Sequence, residues 1–577
     1  MLSLNFPGYR KLFLLILVAL ASGMIGTLPS QGLCLTLFKH FSFYFLLMLF
    51  SLWALRMGKC LAERWPKLLR RHWPALILSM LLMVLVFLAA PPRFKVLADE
   101  ANLIGVSLMM HLDRTAVIPV EGFFDDSPAP QFATQMDKRP LLYPFLVAGI
   151  HALSGYRPQN GFALNFIAGF AVLSVGYFLV SKFLPKPYGV SAIMLMASAP
   201  CFVIYTTSGG FETLNLLFLL LTFLALIVCL ETGASVAETE ALFLTLLLLA
   251  HCRYESIIFI PIVALTMARF LLKNRFFQNA SWLTCITPVF LIPIVWQRKG
   301  FEGAPDMLVS KVDHETFEAV ERLFSFQSFF QNIDDNIFVL LGFNPDYGFT
   351  PFLSLLPLVG LYLLIRRTAL NPRGGDGTVF PVVAAASFLG LLILLSSHHW
   401  GLFTLPMSNR FAMVFLPYLA GCAVFGAYSM SQVLKMRSSA ALLVVLGVHL
   451  VFYWPYGVEQ RIANSMALPY EYQQASELLG QRYQKNGSTV ILAEQPNLYL
   501  IQGYSAFRLS SAGSMLETLS EIAPSAKILA LQKVDLRSGV LQKDSLLDAP
   551  FELQPVQTIA ITQELGLRIS ECRLKSE

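Results

Sequence analysis

The residues best suited to chemistry lie in one polar stretch, Pro91 to Pro144, directly after the third long apolar run of the chain. Asp99 and Glu100 come only a few residues after that run, so at least one of the pair should lie near the membrane surface, within reach of a lipid headgroup. A carboxylate there could accept a proton from a substrate hydroxyl. For any other single acid of the stretch, a solvated loop residue is the plainer interpretation. Only 14% of the chain is charged, yet this stretch holds seven carboxylates: Asp99, Glu100, Asp113, Glu121, Asp125, Asp126 and Asp137.

Cationic side chains at the predicted outer ends of the apolar runs are candidates for binding a phosphate. Lys138 and Arg139 close the acidic stretch, Arg253 lies in a short charged turn, and Arg410 begins a later apolar run. A guanidinium group matches phosphate oxygens in pairs, whereas a lysine offers a compact point charge. Taken singly, each of these residues also fits a snorkelling or paired interfacial charge.

Two more carboxylates, Glu212 and Glu255, occupy the same predicted ends of apolar runs. A charged side chain costs about 2.5 to 3.5 kcal/mol at the centre of a membrane helix and less toward the interface, so each needs a partner or a task. The adjacent His398 and His399 are poorly spaced for a metal, which favours a structural or interfacial role. These residues point to no particular cofactor, and they leave open whether a divalent metal ion takes part.

The elements that must position these residues are those of a polytopic membrane protein. The chain has 577 residues, is 56% hydrophobic and has a mean hydropathy of +0.62. Its apolar runs are long enough to cross about 30 Å of hydrocarbon, and they are apolar on every face, which is typical of helices and not of barrel strands. We predict an all-α polytopic membrane protein with about 13 transmembrane helices. The predicted spans are the apolar runs near 12–35, 40–55, 74–90, 161–181, 188–206, 213–230, 240–252, 256–272, 281–296, 350–365, 378–396, 411–430 and 439–455.

Charge and cysteine usage exclude several other classes. The net charge of +6 is modest, and the Lys and Arg residues collect in short loops, which indicates membrane topology and not a nucleic-acid surface. The eight cysteines lie mostly in apolar runs without CxxC spacing, so neither a disulfide framework nor a zinc site is predicted. The first 23 residues also fit a cleaved signal peptide, but the next runs follow so closely that an uncleaved span is preferred.

Composition divides the chain into three predicted segments. They are an N-terminal transmembrane hairpin with a basic cytoplasmic loop (1–73), a transmembrane domain with a catalytic outer loop at 91–160 (74–456), and a small extracytoplasmic α/β domain (457–577). Within the outer loop, Leu141 to Gly155 is apolar but too short to span, which predicts a helix at the outer surface. The last segment predicts a helix and four strands, at 470–485, 488–495, 525–534, 555–561 and 567–573.

Orientation follows from the basic residues between Arg56 and Arg71, which the positive-inside rule places in the cytoplasm. The acidic stretch after the next span is then outside, and an odd number of spans places the C-terminus outside as well. The loop Glu231 to Glu240 is the weakest point of this count, because it is assigned to the cytoplasm without a Lys or Arg of its own.

The order of these features resembles the glycosyltransferase family 39-like members of the C-type membrane glycosyltransferases, relatives of protein O-mannosyltransferases and lipid A aminoarabinose transferases. The resemblance spans residues 74–510 and departs from the family in three respects. KRPLLYP has one proline where two are common, Phe411 replaces a common tyrosine, and residues 1–55 look like an added hairpin. The matching pieces are Asp99-Glu100, KRPLLYPFLVAGIHALSG, ASAPCFVIYTTSGGFETLNLL, HCRYES and NRFAMVFLP.

The resemblance implies an inverting transfer of a sugar from a polyprenyl-phosphate carrier to an acceptor at the outer, periplasmic face of the cell inner membrane. It assigns the general base to Asp99, and leaves open the donor sugar and whether the acceptor is a lipid, a glycan or a protein. The predicted site comprises Asp99 and Glu100 as catalytic residues, Lys138, Arg139, Arg253 and Arg410 for the donor phosphate, and Tyr143, Glu212 and Glu255 in support.

A transporter or lipid flippase is the competing class, since it would also have many spans and interfacial charges. Such proteins place ionisable residues near the bilayer midplane and in paired halves. Here the charges cluster at one end of the spans and no half of the sequence resembles the other. A scaffold that binds polyprenyl lipid without catalysis is a third interpretation that the sequence leaves open.

The predicted topology has a direct test. A reporter enzyme that is active only outside the cytoplasm should be active when fused after Gly457 and silent when fused at Lys67, because the basic loop stays inside. The reverse pattern would place the acidic stretch in the cytoplasm and contradict the predicted orientation.

Overall fold

The computed structural model describes residues 7–62, 65–124, 132–233, 235–265, 281–301, 324–341, 357–364, 366, 379–405, 408–433, 435, 446, 467–485, 488–522, 526–542, 551–561 and 564–574. Most of these residues are helical. The α-helices are numbered in chain order: α1 (Pro7–Thr27), α2 (Gln31–Ala62), α3 (Trp65–Ala89), α4 (Leu97–Leu112), α5 (Leu142–Ser154), α6 (Asn160–Phe183), α7 (Lys186–Ser198), α8 (Pro200–Thr206), α9 (Glu212–Glu231), α10 (Val236–Cys252), α11 (Trp282–Ile286), α12 (Ile292–Gly300), α13 (Phe326–Leu340), α14 (Val379–Ser397), α15 (Leu416–Val433), α16 (Ala467–Arg482), α17 (Asn497–Leu500) and α18 (Leu516–Ile522).

Six helices in the described ranges are long and apolar enough to cross a membrane: Gln31–Ala62, Leu69–Ala89, Asn160–Phe183, Glu212–Glu231, Phe380–Ser397 and Asn409–Val433. The pair α7 and α8 is a further candidate, bent by 67°. The bend falls at Ala199, whose extended ψ of 126° is the conformation that a following proline, here Pro200, favours.

The expected number of about 13 spans stays a prediction. The predicted run near 439–455 lies almost entirely outside the described residues, and those near 256–272 and 350–365 lie outside them in part. The run at 281–296 is present as α11, a 3₁₀ segment (Thr287–Leu291) and α12. Proline occupies an early position of both the 3₁₀ segment and α12, which is where a ring without an N–H is tolerated.

The seven strands of the described residues form one sheet, in the order β2-β1-β4-β3-β5-β7-β6. Strand β3 is parallel to β4 and β5, and the other pairs are antiparallel. All four predicted C-terminal strands are present, as is the predicted helix, α16. The strands are β1 (Ile118–Gly122), β2 (Phe132–Gln135), β3 (Thr489–Ala493), β4 (Ser505–Arg508), β5 (Lys527–Asp535), β6 (Phe551–Ala560) and β7 (Leu565–Leu574).

Strands β1 and β2 come from the outer loop, a connection that the sequence did not predict. Gly122 of β1 pairs with Ala506 of β4, and the guanidinium group of Arg508 lies 3.0 Å from the carboxylate of Glu121. The outer loop and the C-terminal α/β segment therefore share one sheet. The predicted domain boundary at residue 457 stays a prediction. The shared sheet means that the segment after this boundary also packs with residues of the outer loop.

The predicted loop Glu231 to Glu240 runs from the last residue of α9 into α10, and the acids at its two ends contact basic residues of other helices. Glu240 lies 2.8 Å from Arg56 of α2, and Glu231 lies 2.6 Å from Lys182 of α6. Because Arg56 belongs to the basic segment that is predicted to be cytoplasmic, this loop lies at that same end without basic residues of its own.

Helix α5 confirms the predicted short helix at Leu141 to Gly155, and it anchors α4 from one side. Its buried His151 bonds through Nε2 to the Ser107 hydroxyl of α4 at 3.0 Å and through Nδ1 to the Asn160 amide of α6 at 2.8 Å. Burial, with a smaller effect of His111, lowers the pKa of His151 to about 4. The imidazole is therefore neutral at physiological pH and joins three helices through hydrogen bonds.

Candidate functional site

Asp99 and Glu100 both lie in the first turn of α4 but point to different surroundings. Successive side chains on a helix diverge by about 100°. Glu100 is buried, with 1% of its surface exposed, whereas the side chain of Asp99 keeps 23% of its surface exposed. Of the two, Asp99 is therefore the carboxylate that a substrate can reach.

Glu100 fixes the start of α4. Its Oε2 accepts the backbone N–H of Lys95 at 3.0 Å and that of Gly209 at 3.0 Å, and its Oε1 accepts the N–H of Val96 at 3.1 Å. Two of these donors, the N–H groups of Lys95 and Val96, directly precede the helix, so the carboxylate of Glu100 ties down its start. The third joins α4 to the turn between α8 and α9.

That turn is built to bring a backbone N–H close to a carboxylate. The side-chain amide of Asn165 donates to the carbonyls of Ser208 at 2.7 Å and Gly210 at 2.8 Å. A Cβ at Gly209 would lie 2.9 Å from the ring of Phe94 and 3.2 Å from Oε2 of Glu100. Glycine is therefore the residue that lets the turn approach Glu100.

Burial raises the pKa of Glu100 to about 7, although its three backbone N–H bonds oppose the shift. A buried acid with a pKa near neutrality exchanges its proton in the physiological range. Because Glu100 is enclosed by backbone donors, we assign it a positioning role for α4 and not direct contact with substrate.

Asp99 lies between two arginines from distant parts of the chain. Nε of Arg139 donates to Oδ1 of Asp99 at 3.0 Å, and a second nitrogen of the same guanidinium contacts the same oxygen. Arg410 donates to Oδ2 at 2.5 Å. Burial by itself would raise the pKa of Asp99, but Arg410 and Arg139 outweigh it and hold the pKa well below its usual range.

Each arginine also binds a second carboxylate. Arg139 lies 2.6 Å from Oδ1 of the buried Asp137, and Arg410 lies 3.4 Å from Oε1 of the buried Glu212, the first residue of α9. The result is a linear arrangement of three acids and two arginines. We call it the ion-pair network: Asp137, Arg139, Asp99, Arg410 and Glu212.

The ion-pair network has a support on α12 that the sequence did not predict. The side-chain amide of Gln297 donates to the backbone carbonyls of Asp137 at 2.6 Å and Arg139 at 2.9 Å, and its own oxygen accepts from Tyr254. No local pattern marks Gln297 in the sequence. The sequence marks Asp137 only as one acid among several, although its spacing of two residues from Arg139 is a usable signal for an ion pair.

Arg253 forms a second ion pair near the first. Its Nε lies 3.1 Å from Oε2 of Glu255, and its side chain is 7% exposed. Its guanidinium carbon lies 4.3 Å from the ring centroid of Phe411, and that of Arg410 lies 5.6 Å from the same ring. Phe411, the residue where the resemblance expects a tyrosine, is therefore packed against both arginines.

The remaining predicted residues occupy different positions. Lys138 is exposed. The hydroxyl of the fully buried Tyr143 donates to the carbonyl of Gly161 at 3.0 Å and so links α5 to α6. The rings of His398 and His399 stack with centroids 4.6 Å apart. No three His, Cys, Asp or Glu side chains of the described residues converge as metal ligands. Asp99, Asp137, Glu212 and Glu255 are paired with arginines, and Glu100 is bonded to backbone N–H groups.

In comparisons with known proteins, this chain is similar only to solved structures. No family model and no curated protein matches the sequence. ArnT from Cupriavidus metallidurans bound to undecaprenyl phosphate matches with a TM-score of 0.49 and 11% identity, over 85% of this chain and 97% of that one. AglB from Archaeoglobus fulgidus in complex with an inhibitory peptide and a dolichol-phosphate matches with a TM-score of 0.43 and 11% identity, over 81% and 69%.

The environment of Glu100 predicts a pH dependence of stability. Its pKa of about 7 in the folded chain exceeds the value near 4.3 expected after unfolding. The stabilisation from the protonated form is therefore complete below the unfolded pKa and is lost as pH rises through 7. Between pH 5 and 8, wild type should lose about 1 to 3 kcal/mol of stability relative to Glu100→Gln, which cannot ionise.

Thermal unfolding of both proteins in detergent at each pH measures this difference. The exposed Glu552 on β6 provides the control, because Glu552→Gln should follow wild type across the range. Parallel curves for wild type and Glu100→Gln would mean that Glu100 is ionised throughout and that its N–H donors outweigh burial.

Proposed function

We propose that this protein transfers a sugar from a polyprenyl-phosphate donor to a hydroxyl acceptor at the outer face of the cell inner membrane. The observation that carries the proposal is the surroundings of Asp99. One partly exposed carboxylate lies at a helix start with the guanidinium groups of Arg139 and Arg410 on its two oxygens. A base and two phosphate-binding groups are thus present in one place.

In the proposed reaction, the acceptor oxygen attacks the anomeric carbon and its proton passes to the carboxylate of Asp99. The new C–O bond forms as the bond from the anomeric carbon to the phosphate oxygen breaks, and configuration inverts. The departing polyprenyl phosphate takes the electron pair. Arg139 and Arg410 are placed to stabilise that negative charge, aided by Arg253.

The depth of the site in the molecule supports a lipid-linked donor. Two of the candidate spans begin at the site, at Glu212 and at Asn409, and a third ends at Ala89, a short connection before Asp99. The ion-pair network therefore lies where hydrocarbon gives way to water. A phosphate carried on a membrane lipid resides at this level.

The competing transporter or flippase fits these positions less well. Such a protein would need ionisable groups in the middle of its spans, where a carrier site lies. The ion-pair network lies at span ends instead. Placement of the site and of the C-terminal sheet on the periplasmic side is part of the proposal, and the pairing of β1 with β4 supports a common side for both. A lipid, a glycan and a protein all remain acceptors to be tested.

The role of Asp99 predicts a selective loss of turnover. Asp99→Asn keeps the shape of the side chain but removes its basicity, so turnover should fall by on the order of 10² to 10⁴. Release of polyprenyl phosphate from a panel of polyprenyl-phosphate sugars by purified enzyme measures this. Glu100→Gln should cost less, because Glu100 acts through the position of α4.

Asp113→Asn, at the far end of α4, is the matched control and should keep wild-type turnover. Transfer by Asp99→Asn at a near wild-type rate would remove the base assignment. If Glu100→Gln were the inactive variant instead, the two roles would be exchanged.

The proposed contact of the arginines with the donor phosphate predicts that their substitution weakens donor binding. Arg253→Ala or Arg410→Ala should weaken use of the donor by about 1.5 to 3 kcal/mol for each charge-assisted hydrogen bond lost. Arg→Lys should restore only part of it, since the planar fork is missing. The KM for the donor, measured at saturating acceptor, reports the effect.

Arg537, which is exposed in the C-terminal segment, supplies a control variant, Arg537→Ala, with the same loss of charge away from the site. Unchanged donor kinetics in both alanine variants would return Arg253 and Arg410 to the status of paired interfacial charges.

A further inference from the structure

The ion-pair network stabilises the ionised carboxylate of Asp99 and thereby makes it a weak base. Both of its carboxylate oxygens accept charge-assisted bonds, from Arg139 at 3.0 Å and from Arg410 at 2.5 Å. Such bonds favour the ionised carboxylate and oppose the uptake of a proton. If Asp99 is the general base of the proposed function, on which this inference rests, the arrangement described here has to change before the reaction.

The groups that restrain Asp99 are also those best suited to the donor. A guanidinium group binds a phosphate and a carboxylate with the same paired N–H groups. Nε of Arg410 is buried and has no acceptor among the described residues. A phosphate oxygen beside Arg410 would give this N–H a partner and compete with Asp99 for the others.

We propose that the donor phosphate and Asp99 compete for Arg139 and Arg410, so that donor binding releases Asp99 and makes it available as the base. The acceptor is then activated only when a donor is in place. The competition also protects the donor-free site from accepting protons.

The two arginines can release Asp99 without losing their positions. Each one keeps a second, buried carboxylate: Asp137 for Arg139 at 2.6 Å, and Glu212 for Arg410 at 3.4 Å. Gln297 in addition holds the backbone carbonyls of Asp137 and Arg139. Both guanidinium groups are therefore held from behind, and Asp99 is the partner that can leave.

The backbone of Asp99 is fixed independently of the arginines. Glu100 bonds to the N–H groups of Lys95, Val96 and Gly209, so α4 keeps its place when Asp99 lets go. Release then needs only rotation of the Asp99 side chain, which is partly exposed. The freed carboxylate remains beside the bound phosphate, where the acceptor has to arrive.

Binding of undecaprenyl phosphate to the full-length protein in nanodiscs tests the competition without any turnover. Removal of the competing charge in Asp99→Asn should tighten binding about tenfold, the equivalent of one charge-assisted hydrogen bond. Asp113→Asn removes a charge from the other end of the same helix and should change binding less than twofold. In an Arg410→Gln background, Asp99→Asn should lose most of its effect, because the contested group is gone.

The possible outcomes separate this proposal from the proposed function. If Asp99→Asn loses transfer but binds undecaprenyl phosphate no more tightly than wild type, the base assignment stands and the competition is wrong. Equal tightening by Asp113→Asn would mean a general effect of charge and would also overturn it. If wild type neither binds the lipid nor transfers sugar, the proposed function itself fails.

Wild-type kinetics give a second measurement that needs no substitution. The pH dependence of kcat/KM for the donor reports the free enzyme, and that of kcat/KM for the acceptor at saturating donor reports the donor complex. The arginines hold the pKa of Asp99 well below its usual range in the free enzyme. Release should therefore move the acidic limb to higher pH in the donor complex, and coincident limbs would contradict the proposal.

Discussion

A charge at the edge of the hydrocarbon needs a partner, and in this protein Arg410 meets that need for two helices at once. It contacts Asp99 at the start of α4 and Glu212 at the start of α9. Arg139 repeats the pattern with Asp99 and Asp137. Because an unpaired buried charge is costly, these contacts fix how the starts of α4 and α9 lie relative to the segment that carries Arg410, and the site is the place where they meet.

Two neighbouring acids have separate tasks in this arrangement. Glu100 is enclosed by backbone N–H groups and secures the helix, whereas Asp99 is held only by side chains that have other partners. The difference follows from helix geometry, since adjacent side chains point about 100° apart. The position of Glu100 is therefore fixed by backbone donors, and the proposed reaction requires Asp99 to change partners.

Parts of the chain that are distant in sequence converge on α4. The side-chain amide of Asn497 in α17 donates to Asn102 at 2.8 Å, and the hydroxyl of Tyr156 donates to the carbonyl of Ile501 at 2.6 Å. Strand β1 adds its pairing with β4. The C-terminal segment thus packs against the outer loop one helical turn from Asp99, so a substrate that reaches Asp99 also comes near this segment.

The sequence by itself determined the features that depend on local pattern. Runs apolar on every face predicted the helices, the short run at Leu141 to Gly155 predicted α5, and short strand-like stretches in the C-terminal segment predicted β3, β5, β6 and β7. Residue type and position near span ends were sufficient to select Asp99, Arg139 and Arg410 as candidates. These signals are local because they follow from helix and strand periodicity and from the cost of charge near hydrocarbon.

Only the tertiary structure decided which of these residues belong together. Asp99 and Arg410 are 311 residues apart, and no periodicity links residues at that distance. The same is true of Gln297, whose amide bonds to backbone carbonyls of the outer loop, and of β1, which pairs with β4 at the edge of the C-terminal sheet. Pairing of charges and of strand edges is set by three-dimensional proximity, and a local sequence pattern carries no record of it.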